Sequence, residues 1–264
     1  MKLSGMRIKA IFLEEIFLTK RALEVVLDIV VFHLINVILF GFISIFLQQK
    51  SSAATAQGLL MGSILWEMFR ISQYTVSVSV LWEIWAKNLS NIFVSPLSDV
   101  ELLTAYSISA FFKSVLMITL FSLVGYYIFH FQILTIGVWN LIFGFLNLFW
   151  FGVSLGIFLL GLIFRYGTRI QAVTWGIVFL LQPLTASFFP VSILPKFMQY
   201  LSFSLPPTYV FEAARFGLST GQTHWDYQWI SALLNLVYFF LFFALFRKLM
   251  NGAKRTGQFA KNES

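Results

Sequence analysis

The stretch WEIWAKNLSNIFVSPLSDVELLTAY, from Trp82 to Tyr106, is a polar interruption between two long apolar runs. It carries Glu83, Lys87, Asp99 and Glu101. Charged side chains are costly inside a bilayer, so this segment cannot be buried in lipid. We expect a compact segment at a membrane surface, and the remaining chain is interpreted outward from it.

The first half of this segment has helical spacing, whereas its second half contains a break. Apolar residues recur at three- and four-residue steps at Trp82, Trp85, Leu89, Ile92 and Phe93. Ser95-Pro96 interrupts the pattern, and Ser98 or Asp99 is placed to cap a new helix from Val100. Two interpretations stay open: an ordinary loop between helices, or a docking element that a soluble partner pushes on.

The composition decides the broad class of the protein. Of 264 residues, 59% are hydrophobic and 11% are charged, against about 25% charged in soluble domains. The mean hydropathy is +0.83. No soluble fold of this size could hide so much apolar surface, so we expect an all-α, multi-pass membrane protein that forms a single domain over residues 1–264. The chain has no cysteine, which excludes disulfides and thiol chemistry.

Six apolar stretches have the length of transmembrane helices. They lie at about 29–47, 57–81, 102–129, 138–164, 170–187 and 230–246. The fifth is only just long enough to cross, and its Gln182-Pro183 pair predicts a kink.

The segment that precedes the first span, residues 1–28, has the pattern of a helix lying in the membrane interface. Arg7, Glu14, Arg21 and Asp28 are seven residues apart, and apolar side chains lie elsewhere on the helical wheel. Either this helix is only a membrane anchor, or it is a lever that contacts the same partner as the Trp82–Tyr106 segment.

Two charges lie inside the second span. Glu67 and Arg70 are three residues apart and share one helical face, with Gln73 near them. They could neutralise each other structurally, or they could form part of a pathway or gate. Lys113, in the third span, is placed to extend its ammonium group outward to the membrane surface.

The stretch at 188–229 is too apolar for a solvated loop and too broken for one straight helix. Its four prolines are Pro190, Pro195, Pro206 and Pro207. Two short apolar pieces, at about 194–205 and 208–218, predict re-entrant helices that do not cross the membrane. Thr208 is placed to cap the second piece, Glu212 and Arg215 lie on one face of it, and Gly221 marks its end.

The basic residues predict the orientation. With both termini in the cytoplasm, thirteen Lys and Arg residues lie inside and three lie outside (Lys50, Lys196 and Arg215), with Arg70 and Lys113 set aside as intramembrane. Five of the thirteen form a basic tail at 247–264: Arg247, Lys248, Lys254, Arg255 and Lys261. The net charge of +7 is therefore explained by the membrane, and no nucleic-acid partner is expected.

The sequence contains no catalytic motif that we recognise. It has no G-x-x-x-x-G-K-[ST] for ATP, no G-x-S-x-G and no H-E-x-x-H. Its three Asp and three His residues are scattered, so no acid or metal-ligand cluster is indicated. We expect a chain that binds no cofactor or metal and is not itself an enzyme.

Two stretches carry a resemblance to a known family. The segment PKFMQYLSFSLPPTYVFEAAR, at 195–215, with Gly221 after it, resembles the pattern before the last span of type-2 (ABC-2) ATP-binding-cassette exporter permeases. The segment at 82–103 resembles the same family's region between spans two and three. Ser204 to Pro207 and Asn88 to Ser90 depart from the usual family residues.

The resemblance implies a plasma-membrane permease, in a bacterium, that forms a homodimer and pairs with two copies of a separate ATPase subunit, which binds the ATP. It also implies site residues by motif position. The coupling residues toward the ATPase would be Glu83, Lys87, Asn88, Ser95, Pro96 and Asp99. The pathway or gate would include Pro206, Pro207, Glu212 and Arg215, besides Glu67, Arg70 and Gln73.

The substrate stays open between two classes. We expect export of a hydrophobic drug-like or lipid molecule by alternating access. The alternative is export of a lipid-linked polysaccharide of the O-antigen or teichoic-acid type, which the 19% aromatic content would suit. A membrane-bound lipid-modifying enzyme would need acid clusters, and a secondary transporter would need inverted repeats; neither is evident.

Overall fold

The computed structural model describes residues 3–50 and 53–257. These residues fold into α-helices with short 3-10 and π turns, and they contain no β-strand. The α-helices are α1 (Gly5–Arg21), α2 (Leu23–Val26), α3 (Phe32–Gln48), α4 (Ala53–Trp85), α5 (Leu89–Val94), α6 (Asp99–Phe129), α7 (Val138–Tyr166), α8 (Gln171–Leu184), α9 (Lys196–Phe203), α10 (Pro206–Thr220) and α11 (Trp225–Thr256).

Four segments of the described chain are long and apolar enough to cross a membrane: Leu23–Gln48, Asp99–Phe129, Val138–Leu184 and Trp225–Thr256. The expected all-helical membrane class is therefore confirmed. The six separate spans are not, because one segment takes in both α7 and α8, and α4 is not among the four. α8 has 14 residues, which gives about 21 Å at 1.5 Å per residue, less than the hydrocarbon core of about 30 Å.

Helix α4, of 33 residues, is the centre of the bundle, and it packs against α3, α6 and α7. Most of its middle side chains are buried, including Trp66 and Phe69. Many of its buried side chains are polar, among them Ser63, Glu67, Gln73 and Ser77. This polar content lowers its hydropathy, and protein neighbours rather than lipid surround it.

Two glycines of α7 allow it to approach α4 closely. A Cβ on Gly152 would lie 2.8 Å from the carbonyl oxygen of Phe69, and one on Gly156 would lie 2.8 Å from Cβ of Val76. Larger residues would force the two helices apart. The α4–α7 contact joins both large hydrophobic clusters of the bundle, because the two helices contribute side chains to each.

Ion pairs place several distant segments at one end of the bundle. Arg7 pairs with Glu101, and Lys254 pairs with Asp99. We call this end, which holds α1, α5, the start of α6 and the last turns of α7 and α11, the basic end. At the opposite end Asn140 of α7 donates to the carbonyl oxygen of Gln222, just before α11.

Two expected helices have different limits in the structure. α1 ends at Arg21, and Asp28 lies in a separate π turn, Leu27–Val31, so the four-residue charged stripe does not lie on one helix. The helical spacing from Trp82 to Phe93 does not form one helix either. Lys87 has a left-handed backbone with φ of 54°, which separates α4 from α5.

The expectations for the C-terminal third need three corrections. Thr208 does not cap α10: the cap position is Leu205, with Pro206 and Pro207 in the first turn, where a missing N–H costs nothing. Pro183 lies in the last turn of α8 and ends that helix instead of kinking it. The expected tail begins as helix, since α11 runs to Thr256.

Gly221, with φ of 69°, ends α10 as expected. Of the predicted basic tail, residues 258–264, including Lys261, lie outside the described residues.

Candidate functional site

A short exposed surface at the basic end is formed by α5 and the turn that follows it. Val94 is 88% exposed, which is unusual for an aliphatic side chain next to a buried helix face. Ser95 and Pro96 beside it are exposed, and so is Lys87 at the start of the segment. The opposite face of α5 is anchored in the bundle by Leu89 and Ile92, which are buried.

The N-terminus of α6 holds this surface in place. The Ser98 hydroxyl accepts from the backbone N–H of Glu101 at 3.3 Å, and the Ser98 N–H donates to the Glu101 carboxylate at 2.9 Å. This is a capping box, which satisfies two backbone donors of the first turn.

The same Glu101 carboxylate binds α1, because Nη2 of Arg7 lies 2.6 Å from it and the N–H of Ser4 lies 2.7 Å from it. The contact therefore fixes α1 against the start of α6.

A second contact between α1 and the Trp82–Tyr106 segment is made by Asn88. Its Nδ2 donates to Glu83 at 2.7 Å and to Glu14 at 3.2 Å. Both carboxyl groups border a cavity of about 780 Å³ between α1 and the end of α4, which Arg21 also lines.

The two carboxyl groups that border this cavity bind protons more readily than a solvated carboxyl group does. Burial raises the pKa of Glu83 to about 7. The hydrogen bond from Asn88 lowers this pKa in part, and the charges of Glu14 and Glu15 raise it further. Burial also raises the pKa of Glu14. One edge of the α1 contact is therefore sensitive to pH near neutrality.

Two further ion pairs join the basic end to the bundle. Nζ of Lys254, on α11, lies 2.7 Å from Asp99. Nζ of Lys113 lies 2.9 Å from Glu15 of α1, and the Lys113 side chain is only 14% exposed. The expectation that Lys113 extends outward to the membrane surface is therefore wrong, since its charge is neutralised under α1.

The predicted intramembrane pair forms as expected, and two further polar side chains join it. Nη1 of Arg70 lies 3.3 Å from the Glu67 carboxylate, and Asn36 of α3 donates to the same oxygen. The other Glu67 oxygen faces Nε2 of His33 at 3.6 Å. Gln73 does not join this cluster, since it donates to Ser77 at 2.6 Å.

At the opposite end Glu212 and Arg215 pair at 2.9 Å. Arg215 also donates to the carbonyl oxygen of Ala186 at 2.9 Å, and Glu212 accepts from the N–H of Val191 at 2.8 Å. The pair thus attaches α10 to the chain that leaves α8. Pro206, buried like Pro207, accepts from the hydroxyl of Ser231 on α11 at 2.9 Å.

The structure therefore separates the expected site residues into three groups. Lys87, Ser95 and Pro96 are exposed at the basic end, whereas Glu83 is buried and positions Asn88. Glu67 and Arg70 lie in the interior, and the residues of α10 lie at the far end. Arg7, Glu101 and Lys254 were not predicted as site residues, although the S-x-x-E spacing of the capping box was a signal for Glu101.

A protein-family model described as ABC-2 type transporter matches residues 6–219. The matched range takes in nearly all of α1 and α10 and the whole Trp82–Tyr106 segment. No curated protein matches the chain.

Proposed function

This chain belongs to the ABC-2 type transporter family, and from that premise we propose that it is the permease of an ATP-driven exporter whose α5 surface docks on a separate ATPase subunit. Family membership makes it the membrane-spanning component of an ABC transporter. The proposal adds the direction of transport, the docking surface, a homodimer and two ATPase copies.

The observation that carries the docking proposal is the exposed Val94 on a short helix whose other face is anchored. Trp85 and Val100, in the same segment, are exposed as well, and exposed apolar side chains that occur together rather than singly are suited to a protein partner.

The residues that flank α5 are connected to other helices: Asn88, its N-cap, contacts Glu14 of α1, and Asp99, at the start of α6, contacts Lys254 of α11. Movement of α5 would therefore be passed to α1 and α11.

The proposed topology has six passages with both termini in the cytoplasm. It is supported by the basic end, where Arg7, Arg165 and Lys254 lie together through their contacts with α6 and α11. The turns that flank α8 would supply the length that this helix lacks to cross the membrane. A second copy of the chain would cover its apolar surface. Val173, Phe179 and Leu180 of α8 are exposed in the single chain.

The same face supports a hydrophobic substrate. Phe179 lies 5.2 Å from the Arg70 guanidinium, so the Glu67–Arg70 pair is next to the exposed face of α8. In a homodimer this face would line the seam between the two copies, and its apolar side chains suit a drug-like or lipid molecule. ATP-driven closure of the ATPase pair would open this seam by alternating access.

Export of a lipid-linked polysaccharide is the second candidate. Phe197 and Tyr200 of α9 are 66% and 79% exposed, and exposed aromatic rings at the far end would suit sugars leaving the pathway. The two candidates differ in the ATPase expected, since a polysaccharide exporter can carry an extra glycan-binding domain there.

A pull-down tests the proposal. The tagged chain is extracted from its native membrane in mild detergent, and the proteins that co-purify are identified by mass spectrometry. We expect a P-loop ATPase at about one copy per permease. A chain that purifies without any nucleotide-binding partner would contradict the proposed function.

A further inference from the structure

A groove of about 400 Å³ lies between α7 and α11 at the basic end. Its lining combines four large apolar side chains with two basic ones: Phe158, Leu162, Leu245, Leu249, Arg165 and Lys248. We propose that this groove is a binding site for an anionic phospholipid of the cytoplasmic leaflet, with the phosphate at Arg165 and Lys248 and an acyl chain along the apolar part.

The order of the lining residues matches the order of groups in a phospholipid. On α7, Phe158, Leu162 and Arg165 follow one another at helical spacing, so they lie on one face. From Phe158 to Arg165 this face rises by about 10 Å toward the basic end. On α11, Leu245 likewise precedes Lys248. Both helices therefore present apolar groups toward the membrane interior and a cation at the membrane surface.

The two cations are available to a ligand. Arg165 is oriented by its Nη1, which donates to the carbonyl oxygen of Gly252 at 2.8 Å and to the Thr256 hydroxyl at 2.9 Å. A guanidinium has five N–H donors, so donors remain for a phosphate. Lys248 is exposed, and none of the residues that the structure describes gives it an ion-pair partner.

The protein supplies little negative charge near this groove. The sequence has no Asp or Glu from 102 to 211, which includes all of α7, and none from 227 to 262, which includes nearly all of α11. The neighbouring Asp99 already pairs with Lys254. The unbalanced positive charge of the groove is therefore complementary to an anion from outside the chain.

A lipid fits this lining better than a soluble anion does. A free phosphate would occupy only the end at Arg165 and Lys248, and it would leave the part lined by Phe158 and Leu162 without an apolar occupant. Basic pockets between transmembrane helices on the cytoplasmic side are suited to anionic head groups. The choice of leaflet rests on the orientation given under the proposed function, whereas the chemistry of the groove does not.

The test uses the full chain, purified together with whatever subunit co-purifies, in mixed micelles that contain phosphatidylglycerol or phosphatidylcholine. Bound lipid is counted by native mass spectrometry. We expect the wild type to bind phosphatidylglycerol in preference to phosphatidylcholine. Lys248→Gln should weaken phosphatidylglycerol binding about fivefold, which corresponds to the ~1 kcal/mol that one basic residue contributes near an anionic surface.

Arg247→Gln is the matched control, because Arg247 is exposed in the same helical turn but does not line the groove. If the site is specific, Arg247→Gln should weaken phosphatidylglycerol binding by less than about twofold. Equal losses in the two variants, or no preference for phosphatidylglycerol in the wild type, would overturn the proposal.

A second variant, Leu162→Trp, fills the apolar part and leaves both cations in place. It should reduce the binding of both lipids, provided that size-exclusion chromatography shows a monodisperse protein. Unchanged lipid binding in a folded Leu162→Trp protein, or a change of oligomeric mass in Lys248→Gln, would each contradict a lipid site. None of these readouts depends on an ATPase partner, so this test and the pull-down fail independently.

Discussion

Nη1 of Arg70 lies 3.3 Å from the carboxylate of Glu67, which is fully buried, whereas 18% of the Arg70 side chain is exposed. The pair is therefore inside the bundle but open on one side, next to Phe179 of α8. A buried pair of this kind adds little stability compared with apolar residues, but removal of one partner leaves an uncompensated charge.

The first prediction follows from this geometry. Glu67→Ala and Arg70→Ala should each lower the free energy of unfolding, by about 3–5 kcal/mol where the remaining charge stays buried. Each should also lower transport. The double substitution should cost less than the sum of the two single ones. A double-mutant cycle on unfolding and on transport measures the coupling, and strictly additive losses would argue against pairing.

The second prediction concerns the contact between α1 and α6. Arg7 reaches the Glu101 carboxylate through both Nε and Nη2. Arg7→Lys should fail to replace it, since a lysine ammonium is a single nitrogen and lacks the planar pair of donors that matches a carboxylate. Loss of this contact should let α1 separate from α6 and expose Ser109, which is buried.

The chain has no cysteine, so a single Ser109→Cys reports this opening without background. Its labelling by a thiol reagent should be faster in the Arg7→Gln and Arg7→Lys backgrounds than in the Arg7 protein. Equal labelling rates in all three would show that Arg7 does not hold α1 in place.

The third prediction tests the proposed coupling role of the Trp82–Tyr106 segment. Asp99→Lys should reduce ATPase stimulation without loss of membrane insertion, because it places two cations together where Asp99 and Lys254 now pair. Pro96→Ala should act similarly by loosening the turn between α5 and α6. ATP hydrolysis by the reconstituted complex is measured.

The control for Asp99→Lys is the charge swap Asp99→Lys with Lys254→Asp, which should restore part of the coupling. Wild-type ATPase stimulation in both single variants would remove Asp99 and Pro96 from the coupling role.

The fourth prediction is a pH dependence that arises from Glu83. Its pKa is about 7 in the folded chain and about 4.3 when unfolded, so the folded state binds the proton more tightly. Ionisation of Glu83 therefore lowers the free energy of unfolding as the pH rises from about 4.3 to about 7, and the loss stays constant above about pH 7.

Glu83→Gln imitates the protonated side chain and still accepts from Asn88. Its melting temperature should match that of the wild type near pH 4.5 and exceed it increasingly up to about pH 7. A constant difference between the two proteins across this range would contradict the assignment.

The sequence predicted local features well because they depend on nearby residues. The start of α6, predicted at Ser98 or Asp99 and found with Ser98 as the cap, depends on a spacing of a few residues. So do the two short helices α9 and α10 and the Glu212–Arg215 and Glu67–Arg70 pairs. Contacts between distant segments were not predictable in the same way. Periodicity does not say which helix lies beside which, and it therefore missed Lys113 under α1 and Lys254 beside Asp99.

The surroundings of α4 were also not predictable from the sequence. Its charges and polar groups were interpreted within a helix that crosses lipid, whereas the structure surrounds most of it with α3, α6 and α7. The break at Lys87 was also missed, because apolar spacing on both sides of one left-handed residue resembles a continuous helix.

The most direct test of the account is a cross-link from Val94. A Val94→Cys chain, otherwise free of cysteine, is treated in native membranes with a thiol-directed photo-cross-linker, and the product is identified by mass spectrometry. Tyr200→Cys, which is 79% exposed at the opposite end of the bundle, is the matched control. We expect a cross-link from Val94→Cys to a P-loop ATPase and none from Tyr200→Cys. Absence of an ATPase at Val94, or equal capture at both positions, would contradict docking through α5.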